Sequence, residues 1–354
     1  MAKQITAVIL ILLTTASMLF SCASNQTDTS NSSSAQIQNN GKDGADSSVA
    51  GDKQNNEKQN KNEDPEMIVS LIGKLRDPFV LADNGKYYVY GTGWKCSVNS
   101  RGRLDGLWSN YGCVVTIPDD AAKDMWAPEV YKYNGEYYMF ATYYSSKRSH
   151  RGCSVFKSSR PEGPFVEISD GHVTPSSWDA IDGTLYIDTD GTPWMVFVHE
   201  WTSMPDGIGS MAAAKMSADL THFVSEPIEL FRANDAKWSR SGVTDGCFMR
   251  LCENGELIML WSSFDQYGYC VGIARSDNGR IDGNWTNDET PIYTKGPDGQ
   301  YDGGHCMIFT SYEGQLYLCM HSPNDSKLGR SETPVFIPIK EENGNIMLLD
   351  TQTP

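Results

Sequence analysis

The stretch at residues 74–93, "KLRDPFVLADNGKYYVYGTG", decides the fold. An Arg-Asp-Pro opening leads into an apolar run, an Asn-Gly dipeptide and a second run rich in aromatics. Asn-Gly between two such runs favours the positive dihedrals of a tight hairpin, so the stretch reads as strand, turn, strand. The same pattern returns four times. "WAPEVYKYNGEYYMFATY" begins at 126, "IDGTLYIDTDGTPWMVFVHEW" at 181, "TDGCFMRLCENGELIMLWSSF" at 244 and "GGHCMIFTSYEGQLYLCMHSP" at 303, at intervals of 50 to 63 residues. Weaker strand signals such as "GCSVFKSSRPEGPF" and "VGIARSDNGRIDGNW" fill the gaps. Four strands per repeat, five repeats and almost no helical periodicity predict an all-β, five-bladed β-propeller over residues 67–354. A β-sandwich of regular hairpins is the alternative.

In a propeller the first strand of each blade lines the central channel, so equivalent positions at the strand starts gather at one end of the axis. Those positions read Asp77, Ala127, Asp182, Asp245 and Gly304. A single aspartate before a strand commonly caps a turn. Three converging carboxylates repel one another and shift one another's pKa values, which marks a site. Clustered acids in a cleft serve metal binding or glycosidic cleavage, in which one acid protonates the leaving oxygen and another carboxylate activates water or attacks the sugar. Trp94, Trp126, Trp178, Trp201 and Trp261 lie at or near strand ends, where indoles can stack on sugar faces, although any one of them could equally serve the core.

At blade spacing and in order, "RDPFV", "WAPEV" and "AIDGTLYID" resemble the motifs of glycoside hydrolase family 43, five-bladed propellers that cleave arabinofuranosides, xylosides and related galactosides. The resemblance covers nearly all of 67–354 and implies an inverting hydrolase. Carried over by motif, it makes Asp77 the general base and Asp182 the carboxylate that tunes the acid. The family's acid glutamate usually heads the fourth blade in a Glu-Gly setting; here "VTDGC" supplies Asp245, one methylene shorter. Glu200 in "FVHEW" is the rival, because a second strand returning antiparallel ends where Asp182 begins. The expectation is Glu200 as acid and Asp245 as an auxiliary carboxylate, with the reverse left open. Glu129 in "WAPEV" is a weaker candidate that reads better as a buried, hydrogen-bonded acid.

Arg76, Trp94, Trp126, His199, Trp201, Trp261 and His321 are the expected substrate contacts, with Arg76 able to keep Asp77 ionised. In related arabinan-cleaving members a blade-five histidine helps hold calcium or water on the axis, and His305 occupies that motif here. No cofactor is required for the chemistry; a water-rich structural Ca²⁺ near His305 is the metal expectation. The implied substrate is an arabinose-containing glycan, for an arabinofuranosidase or arabinanase. A β-xylosidase or galactosidase of the same family and a non-catalytic glycan-binding propeller are the other readings. Fructan-cleaving propellers fit less well, because "RDPF" stands where they carry Asn-Asp-Pro-Asn.

The N-terminus sets the expected address. Residues 1–21 carry a lysine, an apolar run too short for a confident membrane span, and Leu19-Phe20-Ser21 before Cys22. This reads as a lipoprotein signal peptide, with Cys22 acylated and the protein anchored to a bacterial membrane, in the periplasm or at the cell surface. Residues 22–66 are almost wholly small, polar or charged and read as a disordered tether. The membrane is expected as a partner only through the anchor, and a monomer is expected. The formal charge of −16, without a basic run, argues against nucleic acid. Beyond Cys22 eight cysteines remain with no Cys-x-x-Cys pair, and they read as buried free thiols with at most one bridge.

Overall fold

In the computed structural model the described residues are 65–297, 299–325 and 330–349. The expected signal peptide, Cys22 and the tether up to residue 64 lie outside them. Among the described residues no helix is long and apolar enough to cross a membrane.

The five hairpins read from the sequence each open a sheet of antiparallel strands. Blade I holds β2 (Phe79–Asp83), β3 (Lys86–Gly91), β4 (Lys95–Asn99) and β5 (Ser109–Cys113). Blade II holds β6 (Ala121–Tyr133), β7 (Glu136–Ser145), β8 (His150–Ser158) and β9 (Val166–Glu167). Blade III is β10 (Ala180–Ile187), β11 (Pro193–His199), β12 (Ser210–Lys215) and β13 (Ile228–Arg232). Blade IV is β14 (Asp245–Leu251), β15 (Leu257–Phe264), β16 (Tyr269–Ser276) and β17 (Trp285–Asn287). Blade V takes β18 (Gly304–Thr310), β19 (Leu316–Ser322) and β20 (Thr333–Glu342) from the end of the chain and β1 (Ile68–Val69) from its beginning, with β21 (Asn345–Leu348) also on β20.

Pairing of Ile68 with Phe336 and Val69 with Val335 closes the ring. The innermost strands touch in the cyclic order β2, β6, β10, β14, β18 and back to β2. The molecule is therefore a five-bladed propeller, as the repeats predict.

The turns form as their residues dictate. Asn84-Gly85 and Asn134-Gly135 both take positive φ at each residue, which only Gly and, less readily, Asn tolerate in a two-residue hairpin. The inner strands are buried on both faces: in β3, Tyr87, Tyr88, Val89 and Tyr90 are all in the core. Such continuous runs reflect blades packed against blades on either side. The eight cysteines within the described residues are all free, seven of them buried and Cys113 exposed, so the single bridge allowed from sequence does not form.

Candidate active site

The mouth of the channel is built from one irregularity repeated five times. Asp77, Ala127, Asp182, Gly246 and His305 all adopt φ between 37° and 56°. Register breaks fall at the same place in four blades: after Trp126, after Ile181, after Asp245 and after Gly304. Such bulges re-aim a side chain, and non-glycine residues held at positive φ collect at functional sites. The blade equivalence read from sequence needs a correction here. In blades IV and V the equivalents of Asp77 and Asp182 are Gly246 and His305, one residue later than Asp245 and Gly304, because the bulge falls one residue inside those strands.

Asp77, Asp182 and His305 of this set open onto a pocket of about 290 Å³. Asp77, Asp182, Asp245 and Glu200 line it together with Arg76 and His305, and Trp126 and Trp201 supply its flat apolar walls. Asp77 sits beside Arg76 Nε at 4.0 Å and His305 Nδ1 at 3.5 Å, and the Thr92 hydroxyl donates to its Oδ2. Burial works to raise its pKa, but the neighbouring His305 and Arg76 and the Thr92 hydrogen bond hold the carboxyl below its ordinary value.

Asp182 goes the other way. Burial, reinforced by the charge of Asp77, lifts it to about 6, even though Gly246 N–H donates to its Oδ2 at 2.9 Å. Asp245 is raised well above the ordinary carboxylate range by burial and by Asp182, while Tyr269 donates to its Oδ2 at 2.7 Å.

Glu200 stands across a double hydrogen bond from Arg151, with Nε to Oε2 at 2.6 Å and Nη2 to Oε1 at 2.9 Å. The same guanidinium reaches Asp124 Oδ2 at 3.2 Å and lies over the Trp126 ring. Burial raises the Glu200 carboxyl and Arg151 offsets only part of that rise. Among the described residues Asp182, Asp245 and His305 form the group whose potential ligand atoms come within 4.8 Å of one another.

Several expected contacts are not at the pocket. Trp94 is fully buried against Tyr143 and Phe156, and its indole N–H donates to the Trp126 carbonyl. Trp261 is likewise core, packed on Trp238 and Phe231 with its N–H on Asn287. His199 does not line the pocket; it is stacked on Trp178 at 3.8 Å and bonded to Ser203. His321 has no exposed side chain; it touches Asp77 rather than open space. Arg76 does line the pocket, while giving its main bonds to Glu332 and Asn324. Glu129 is buried, accepts from Tyr131 at 2.5 Å and is raised to about 8 by desolvation. Thr92 and Arg151 were missed, and their partners explain why: Glu200 lies 49 residues from Arg151, and Ala127 lies 35 from Thr92.

A family model described as Glycosyl hydrolases family 43 matches residues 68–337. The solved endo-arabinase from Bacteroides thetaiotaomicron is 35% identical; the match covers 78% of this chain and 98% of that one, with a TM-score of 0.68. A solved endo-1,4-beta-xylanase from the same organism is 25% identical over 79% of this chain and 96% of that one, with a TM-score of 0.65. A curated relative, the probable arabinan endo-1,5-alpha-L-arabinosidase B of Aspergillus fumigatus, is 29% identical over 147 residues. That match spans 37% of this chain and 39% of the relative.

Proposed function

The chain belongs to glycosyl hydrolase family 43, and from that premise we propose that it hydrolyses arabinan-type glycans with inversion at the anomeric carbon. The observation that carries the reading is one pocket holding carboxyls pushed in opposite directions, Asp77 downward and Asp182, Asp245 and Glu200 upward. Environments that separate carboxyl pKa values in this way assign base and acid. Asp77, ionised, takes a proton from the attacking water. Glu200 delivers a proton to the leaving glycosidic oxygen, and Asp182 holds negative charge in reserve beside Asp245. Trp126 and Trp201 stack on the sugar rings.

The arabinan assignment draws support from the endo-arabinase and arabinosidase relatives. Asp245 as acid is the second reading, favoured by its place directly beside Asp182, whose charge adds to burial in raising it. Leaving-group dependence separates the two. An acid variant loses roughly 10²–10⁴-fold on arabinan but keeps most activity on aryl arabinosides whose leaving group needs no proton. Glu200→Gln is expected to show that split and Asp245→Asn a similar loss on both substrates; the split appearing in Asp245→Asn instead would move the acid there.

Asp182, Asp245 and His305 would hold a calcium ion completed by water. Two carboxyls raised by burial and by a neighbouring carboxylate, Asp77 beside Asp182 and Asp182 beside Asp245, suit a hard cation. The ion would supply positive charge that lowers both carboxyls.

The N-terminal features support a protein anchored through acylated Cys22 and held off the membrane by the 22–66 tether. Radiolabelled palmitate should enter the wild-type protein and not Cys22→Ser. Equal labelling of both would remove the anchor from the account.

A further inference from the structure

At each bulge one backbone N–H finds a side-chain acceptor instead of a ladder partner. Ala127 N–H donates to Thr92 Oγ1 at 3.2 Å, Asp182 N–H to Thr142 Oγ1 at 3.0 Å, His305 N–H to Ser262 Oγ at 2.8 Å and Asp77 N–H to His321 Nδ1 at 3.3 Å. The acceptors hold one structural position, on the strand opposite the residue that precedes a bulge. Thr142 pairs with Trp126, Ser262 with Asp245 and His321 with Gly304, while Thr92 N–H donates to the Arg76 carbonyl. Each acceptor reaches into the next blade, so the bonds stitch the seams of the ring. In blade III the position is Val198, opposite Ile181, and there Gly246 N–H turns to Asp182 Oδ2.

A hydroxyl has one proton to give. An amide N–H can only donate, so each hydroxyl in the ring accepts at its oxygen and keeps its proton for another partner. For Thr142 the neighbour in reach is the Cys153 sulfur at 3.8 Å. For Thr92 it is the Oδ2 of Asp77.

We propose that Thr92 is the positioning residue of the general base, pinning Asp77 Oδ2 to the seam between blades I and II and leaving Oδ1 as the atom that takes the proton from water. The surroundings of Oδ1 agree. Its nitrogen neighbours stand back, His305 Nδ1 and His321 Nδ1 at 3.5 Å and Arg76 Nε at 4.0 Å. His321 accepts the Asp77 N–H at Nδ1, so its own proton is on Nε2, next to Asn324 Oδ1 at 3.3 Å. Burial keeps that imidazole neutral, with a pKa of about 4.

The inference rests on Asp77 as base, and the test separates the two claims. kcat and KM on linear arabinan are measured for wild type, Thr92→Ser, Thr92→Ala, Thr92→Val and Asp77→Asn, with melting temperatures alongside. Thr92→Ser keeps the donor and the wild-type kcat. Thr92→Ala and Thr92→Val lose the bond that fixes Oδ2, and their kcat falls roughly ten- to a hundredfold while KM stays close to wild type. A kcat that stays at the wild-type value in the folded Ala or Val variant, with only the melting temperature lowered, would reduce Thr92 to a structural seam and overturn the proposal. Substantial activity in Asp77→Asn would overturn the base assignment beneath it. If Thr92→Val does not fold, Thr92→Ala carries the comparison.

Discussion

Asp182 shows what the site costs the molecule. Its carboxyl is raised to about 6 by burial and by the charge of Asp77, so the folded protein binds a proton there that the unfolded chain releases near pH 4. Between those values the native state holds more protons, and its stability falls as pH rises. A shift of this size corresponds to about 3 kcal/mol lost by pH 7. Asp182→Asn should therefore raise the melting temperature at pH 7, at the expense of activity, with the gain shrinking toward pH 4. Calcium added to the wild type should narrow the same gap. A difference independent of both pH and calcium would contradict this view of the cluster. Asp77 and Asp182 were legible in the sequence because each precedes a repeated strand inside a distinctive tripeptide. The pairing of His305 with them was not fully legible, since a one-residue bulge decides which of two neighbours occupies the shared position.

Elements decide which aromatic residue does which task. Trp94 and Trp126 look alike in sequence, each close to the start or end of an apolar strand. In the fold Trp94 takes positive φ and turns into the contact between blades I and II, while Trp126 faces the pocket beneath Arg151. Trp94→Ala should destabilise by about 3–5 kcal/mol, as for a large aromatic removed from a packed core, and leave the KM of the folded fraction unchanged. Trp126→Ala should raise KM severalfold with a much smaller loss of stability. Equal effects on KM would put both indoles at the substrate. Periodicity cannot separate these cases, because strands buried on both faces carry apolar residues at every position. The hairpins themselves were readable from the Asn-Gly dipeptides, whose dihedrals are set locally. Arg151 was not, because its chemistry exists only where β8 meets the end of β11.

At the scale of the whole molecule, the ring brings three blades' bulge residues, Asp77, Asp182 and His305, to one mouth, and blades III and IV add Glu200 and Asp245 beside them. Closure through β1 and β20 makes that convergence a property of the complete circle rather than of any blade. Repeat spacing made the circle legible; the identity of the acid was not, since it depends on how far two neighbouring carboxyls reach across an assembled channel. The central claim is that water, activated at Asp77, attacks the face of the sugar opposite the leaving group. Proton NMR during the first minutes of hydrolysis of an α-1,5-linked arabino-oligosaccharide tests it most directly. The account predicts that the β-anomer of the product appears first and only later equilibrates, and that Asp77→Asn releases no product. First appearance of the α-anomer, or undiminished product from Asp77→Asn, would contradict it.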